Sequence, residues 1–115
     1  MTTSTHQLLR IYLDESDRCG HKPLYEAIVL KARDLGLAGA TVTQGPMGFG
    51  KSRAIKTSKI LNLSTDLPMV VDIVDFPEKI ATLLPFLEGE LSGGLVTLQD
   101  VCVLGGAVAV GEQLR

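Results

Sequence analysis

Residues Gly45–Ser52, GPMGFGKS, reproduce the spacing G-x-x-x-x-G-K-S. In that arrangement glycine amides and a lysine ammonium surround a phosphate, while the serine hydroxyl serves a magnesium ion. Basic side chains continue beyond it: Lys51, Arg53, Lys56 and Lys59 all precede the next acid, Asp66, in a chain whose net charge is −2. A local positive field on a backbone that can reach positive φ and approach a ligand closely is suited to an anion. A phosphate-loop hydrolase would also need an apolar strand ending in a magnesium-binding acid, and Met69-Val70-Val71-Asp72 imitates one. Such enzymes are larger parallel α/β domains, so a nucleotide hydrolase using Gly45–Ser52 is the alternative function rather than the leading one. The bland alternative is a flexible loop with cations for solubility.

Other chemistry is thinner. Asp14, Glu15 and Asp17 share one polar loop, and three acids so placed read as solvated surface, with Arg18 as a local partner. Cys19 and His21 lack the ligand number and spacing of a zinc site, and no metal site is expected. His6 falls in a segment expected to fray. No serine or cysteine has a base placed beside it by sequence, so nucleophilic catalysis has no support and a non-enzyme is expected. Cys19 and Cys102 read as free thiols, being too few for a disulfide framework. With two tyrosines, three phenylalanines and near-neutral charge, the chain is poorly equipped to bind nucleic acid.

The elements that must position the glycine-rich loop follow from periodicity. Over Leu8–Leu13, Leu9, Ile11 and Leu13 alternate with Leu8, Arg10 and Tyr12, the period of a strand. After the polar stretch 14–22, Pro23 opens a helix with Leu24, Ile28, Ala32 and Leu35 on one face, and Gly36 is placed to stop it. Residues 39–44 carry the β-branched Thr41, Val42 and Thr43 and predict a strand entering the loop. Met69–Val74 predicts another strand. Pro77 opens a second helix with Ile80, Leu83, Leu84 and Leu87 on one stripe, which Pro85 should kink or shorten. Gly89, Gly93 and Gly94 then predict a turn, followed by a strand over Leu95–Leu104 and an apolar tail at 107–110.

The order β-α-β, β-α-β predicts an α+β fold: a ferredoxin-like βαββαβ sandwich whose four-stranded antiparallel sheet carries two helices on one face. The 115 residues, 45% hydrophobic, suit one domain with a core over about 8–104 and tails at 1–7 and 105–115. Two helices leave the other sheet face open, where Val70, Val74, Val96 and Leu98 or their alternates would show, and homo-oligomerisation is the expected cover. No stretch reaches the length of a membrane span and no leader pattern opens the chain, so a cytoplasmic location is expected.

Several separated motifs occur together: Pro23-Leu24-Tyr25-Glu26-Ala27-Ile28, Gly36-Leu37-Ala38-Gly39-Ala40-Thr41-Val42, Gly48-Phe49-Gly50, Asp66-Leu67-Pro68 and Gly93-Gly94-Leu95-Val96-Thr97. In this combination the chain resembles the PII-like signalling proteins of domain-of-unknown-function family 190, over about residues 8–104. The resemblance implies a homotrimer with a long T-loop-like connection between the second and third strands of the sheet. It also implies an adenine nucleotide held in clefts between subunits, with no required cofactor. By similarity the ligand contacts would be Gly48, Phe49, Gly50, Lys51 and Arg53 at the loop base, and Gly93, Gly94, Leu95, Val96 and Thr97 at the second glycine turn. Two departures bear on the ligand. Residues 46–68 contain no tyrosine to serve as the modification acceptor known in PII loops, and no basic pair follows the last strand, so AMP or ADP is expected rather than a triphosphate. The implied role is a metabolite sensor that acts through its loop on a client such as a membrane transporter or a metabolic enzyme. A connection of about twenty residues in so small a domain is commonly functional. Residues 46–67 are accordingly expected to be mobile without ligand and protected with it.

Overall fold

The computed structural model describes residues 4–58 and 66–106. Four long segments make one antiparallel sheet: β1 (Ser4–Asp14), β4 (Thr41–Gln44), β7 (Pro68–Asp75) and β8 (Leu95–Val103), in the order β4-β7-β1-β8. Two helices, α1 (Leu24–Asp34) and α2 (Pro77–Glu90), complete the expected ferredoxin-like βαββαβ fold. Two small hairpins decorate it. β2 (Arg18–Cys19) pairs with β3 (Lys22–Pro23) before α1, and β5 (Met47–Gly48) pairs with β6 (Lys56–Thr57) inside the long connection.

The core lies between the helices and the two central strands. Leu9, Ile11 and Leu13 of β1, with Met69, Val71 and Ile73 of β7, turn one face of the sheet inward. Leu24, Ile28 and Ala32 from α1 and Ile80, Leu83 and Leu87 from α2 close over them, spaced as a helical stripe must be. Gly36 ends α1 as the sequence predicts. At φ +82° it takes the left-handed conformation, its amide donates to the Arg33 carbonyl at 3.1 Å, and the Leu37 amide reaches Ala32 at 3.0 Å. Lys31 and Arg33 in the last turn complement the helix dipole.

The second helix departs from expectation. It runs through Pro85 and Gly89 to Glu90 without being shortened. Proline removes one ladder bond to the carbonyl four residues earlier, but Pro85 and Ala81 are not buried, so water can serve that carbonyl, while Leu83 and Leu87 hold the helix to the core on either side. β1 also begins earlier than its alternation suggests. Ser4 already pairs with Val103, and His6, expected in a frayed end, is fully buried with its ring 4.2 Å from that of Phe76. β8 holds β1 down from Ser4 to Tyr12. The tail at 107–110, together with Lys59, Ile60, Leu61 and Leu63 of the long connection, lies outside the described residues.

The uncovered surface is larger than one sheet face. Val70, Asp72 and Val74 of β7 and Leu8, Arg10 and Tyr12 of β1 do face away from the helices, and at their centre Arg10 forks onto Asp72 at 2.7 and 3.0 Å. Val96 and Leu98, however, pair with Ile11 and Leu9 and so lie on the helix side. They remain 39% and 48% exposed because the helices pack over β1 and β7 and stop short of β8.

One buried carboxylate ties the layers together. Asp75, 2% exposed, accepts from the Ala38 amide at 2.8 Å and from its own neighbour Phe76 at 2.7 Å, joining the connection after α1 to the start of α2. Removing it strands two amides. Asp75→Ala is expected to cost roughly 2–4 kcal/mol, with Asp75→Asn recovering part of it, read as a lowered urea midpoint at unchanged slope. A loss near zero would mean that water replaces the carboxylate.

Candidate functional site

The long connection leaves the sheet at Gln44 and is immediately folded back. The Gly45 amide donates to the Pro68 carbonyl at 2.8 Å, so the outgoing arm starts against the strand to which the connection returns. Gly48 lies flat on the Pro68 ring, where a Cβ would come within 2.9 Å of Cγ. A turn follows in which the Arg53 amide donates to the Gly50 carbonyl at 2.9 Å, with Arg53 itself at φ +63°. The Arg53 guanidinium stands 5.6 Å from the Phe49 ring centroid. The chain then returns through β6, which pairs Lys56 with Gly48 and Thr57 with Met47.

The acids at the end of β1 and just beyond it, Asp14, Glu15 and Asp17, are not the solvated cluster that the sequence suggests. They anchor this loop. Glu15 accepts from the Leu67 amide at 3.3 Å and from the Gln44 side-chain amide at 3.2 Å, and its own amide donates to the Leu67 carbonyl at 2.9 Å. Ser16 donates its amide to Asp66 at 3.1 Å, and Asp17 accepts from the Asp14 amide at 3.0 Å. Lys56 reaches down among them, forming a close ion pair with Asp66 and a longer one, 3.7 Å, with Asp14. The hydrogen bond to Asp66 raises the Lys56 ammonium above its ordinary value, outweighing the opposing effect of burial. Burial on its own would raise the Asp66 carboxyl, but Lys56 and the Ser16 donors overcome it and hold the group low.

Across from the loop base stands the second glycine turn. Gly94 has φ +80°, and a Cβ there would sit 2.3 Å from the Tyr12 carbonyl oxygen, so no other residue fits without moving the backbone. Gly93 faces the loop: a Cβ placed on it would lie 4.0 Å from Cδ of Lys51. The two glycine segments, far apart in sequence, therefore enclose one cleft of about 1160 Å³. Gly48, Phe49, Gly50, Lys51, Gly93, Gly94 and Leu95 line it, with Met47, Pro68 and Val70 as apolar wall and Asp14, Asp17 and Lys56 at the anchor.

Three of the expected contacts fall elsewhere. Arg53 covers Phe49, Val96 lies beside Ile11 on the helix side, and Thr97 lies opposite Arg10 on the open face. Sequence reasoning passed over Tyr12 and Ser92, which carry no motif. It also passed over Lys56 as a site residue, although Lys56 stands in the basic run. The phosphate-loop match is not borne out by the geometry. No helix follows Lys51–Ser52 to aim its amides at a phosphate among the described residues, β4 is an edge strand of an antiparallel sheet, and Asp72 is paired with Arg10. Among the described residues no cluster of potential ligands could hold a metal ion, and no helix is long and apolar enough to cross a membrane.

Comparison with known proteins agrees with this architecture. The model of domain-of-unknown-function family 190, described as Uncharacterized ACR, matches residues 6–103. A UPF0166 protein of Aquifex aeolicus is 40% identical over 98 residues, spanning 85% of this chain and 92% of its own. A protein of Thermus thermophilus described as a putative PII-like signalling protein superposes with a TM-score of 0.68 at 17% identity, covering 98% of both chains. CPII of Thiomonas intermedia K12, a nitrogen regulatory PII-like protein solved with ADP, AMP and bicarbonate, gives a TM-score of 0.60 at 21% identity, over 89% of this chain and 91% of its own.

Two outcomes follow from the geometry. Gly94→Ala should disrupt the turn, since both its φ and its contact with Tyr12 exclude a side chain, and a loss of more than about 2 kcal/mol in urea unfolding is expected. The Lys56–Asp66 tie should respond to acid. A carboxyl held low contributes stability that is complete above its ordinary 3.8 and is lost as the pH falls below it. The raised Lys56 contributes fully below 10.5 and is lost only as the pH rises past that value. The Ser16 amide resonance should thus be constant between those limits and shift on acidification below 3.8; Lys56→Met should move the midpoint of that shift upward.

Proposed function

The chain belongs to domain-of-unknown-function family 190, and from that premise we propose that it is a PII-like sensor that binds an adenine nucleotide, AMP or ADP, and regulates a partner through its long loop. The observation that carries this reading is the facing of two glycine segments, Gly48–Gly50 and Gly93–Gly94, across a cleft into which Lys51 reaches. Bare glycine amides and an ammonium suit a phosphate, and Lys51 makes no ion pair among the described residues that a ligand would have to break. Met47, Phe49, Val70 and Leu95 supply the apolar surface that an adenine ring needs. CPII, with the same fold, was solved with ADP and AMP, which supports the choice of ligand class.

The active unit in this reading is a homotrimer. Leu95, Val96 and Leu98 of the edge strand β8 are all at least 39% exposed, on both faces of that strand, an apolar edge that a second copy would cover. Leu95 belongs both to that edge and to the cleft wall, so a neighbouring subunit would complete the ligand site and bring Val96 and Thr97 close to it. The ligand acts by favouring one loop conformation over another, and a client, a transporter or a metabolic enzyme in the cytoplasm, recognises the favoured one.

Calorimetry against AMP, ADP, ATP, cyclic nucleotides and bicarbonate tests the ligand. ADP or AMP should bind, and Lys51→Ala should weaken binding by about tenfold or more, the worth of a hydrogen bond to a charged group. Residues 46–58 should gain hydrogen-exchange protection on binding. Failure of every nucleotide to bind would overturn the reading, as would Lys51-dependent hydrolysis of ATP with magnesium. Sedimentation should give three times 12.3 kDa; a stable monomer at micromolar concentration would count against the shared site.

A further inference from the structure

Gly48 is a glycine for a different reason from Gly94. Among the described residues the left-handed glycines are Gly20, Gly36, Gly94 and Gly106, so the backbone φ at 48 does not demand glycine. What excludes a side chain there is Pro68. A Cβ on Gly48 would stand 2.9 Å from the Pro68 Cγ but 3.7 Å from its Cβ, the second an ordinary van der Waals separation. Cγ belongs to a closed ring and can yield only by puckering, unlike the free end of a long side chain. The β5–β6 hairpin thus rests on the proline ring through a position that carries no side chain.

Pro68 is itself fixed from below. It lies opposite Asp14 in the β1–β7 ladder, and its carbonyl accepts from the Gly45 amide at 2.8 Å. Leu67, just before it, accepts from the Glu15 amide at 2.9 Å and donates its own amide to the Glu15 carboxylate at 3.3 Å. The other wall of the cleft is built on the same strand, since Gly94 lies over the Tyr12 carbonyl. Two nearby residues of β1 therefore locate both walls, Tyr12 under Gly94 and Asp14 opposite Pro68.

We propose that Pro68 is a positioning residue of this cleft: its ring is the seat that sets where the hairpin carrying Gly48–Gly50 and Lys51 stands relative to Gly93–Gly94. The inference rests on the nucleotide reading above and adds to it the contact that fixes the gap a ligand must span. An anionic group held between two sets of donors tolerates little error in their spacing, because hydrogen bonds weaken steeply when stretched or bent. The ring suits this task, since proline has no side-chain freedom to lose when the loop settles on it. Gly48 and Pro68 are then complementary in size, and a methyl group added to the first is accommodated by removing Cγ and Cδ from the second.

The test is a double-mutant cycle read by calorimetry with ADP, on the full chain in its native assembly, with the fold of each variant followed by its urea midpoint. Gly48→Ala should bind ADP about tenfold more weakly at wild-type stoichiometry, because the added methyl displaces the hairpin. Pro68→Ala should lose about three- to fivefold, the hairpin having no seat. Combined, the two should bind within about twofold of the wild type, a coupling that independent sites do not show. A role confined to stability would lower the urea midpoint of Gly48→Ala and leave the affinity of the folded protein unchanged. That result, or a double variant that binds no more tightly than Gly48→Ala, overturns this inference and leaves the nucleotide site standing. Should Gly48→Ala lose its fold, the double variant is set against Pro68→Ala and should bind about threefold more tightly, and equal or weaker binding overturns the inference. Absence of ADP binding to the wild type overturns both.

Discussion

The approach of Gly94 to the Tyr12 carbonyl is the constraint on which both the sheet and the cleft depend. β8 pairs with β1 over nine residues, and that ladder can begin at Tyr12–Leu95 only if the preceding turn passes over the β1 backbone without a side chain in between. The left-handed φ of Gly94 gives the turn its direction, and the turn in consequence holds Gly93 opposite Lys51. A single missing methyl group thus sets the register of the edge strand and the width of the site at once. This is why the site, though composed of loops, is built at Gly94 directly on the β1 backbone.

Charge is arranged in two layers with different roles. On the open sheet face Arg10 and Asp72 form a bidentate pair flanked in their row by Thr41 and Thr97, with side chains 39% and 30% exposed. Hydrogen bonding to Asp72 raises the guanidinium's pKa further above its already high value, yet a pair this exposed contributes little to stability by itself. It places a polar row across a face whose other rows are apolar at β7, which favours one alignment of a covering surface over others. At the loop base, by contrast, the acids of 14–17 bind backbone amides and Lys56, and their contribution is positional: they hold the arms of the connection to the end of β1.

Much of the fold is legible because its signals are local. Alternation in β1, the strand signal over Met69–Val74, the stripes of α1 and α2, Pro77 at a helix start and Gly36 at a helix stop all act within one turn or strand, and the structure keeps them. What misleads is decided by distant partners. The polar start around His6 has no strand period, and its pairing comes from residues 101–103. Pro85 breaks a helix only when nothing else secures both halves, and here Leu83 and Leu87 do. For the site, the glycines are visible as motifs, whereas the anchoring function of Glu15 and Asp66 and the position of Lys56 between two acids depend on contacts between segments distant in sequence, as in the Leu67-to-Glu15 bond, which no spacing rule encodes. The letter-for-letter match to the phosphate-loop pattern shows the converse: the right letters occur in a hairpin that the described residues, through Ser58, continue without the helix that gives them their chemistry.

The central position of β1 has a consequence for how the molecule is made. Its two neighbours in the sheet come from the far half of the chain, Ser4 meeting Val103 and Gln7 meeting Asp75, so almost none of its ladder is local. High contact order of this kind slows folding, because long loops must close before the strand gains its partners. On the ribosome β1 would leave the exit tunnel before β7 and β8 and wait for both, its hydrophobic residues Leu9, Ile11 and Leu13 meanwhile without a sheet. The sheet is thus complete only when β8 emerges, and a chaperone that shields β1 until then is the kind of helper such a topology calls for.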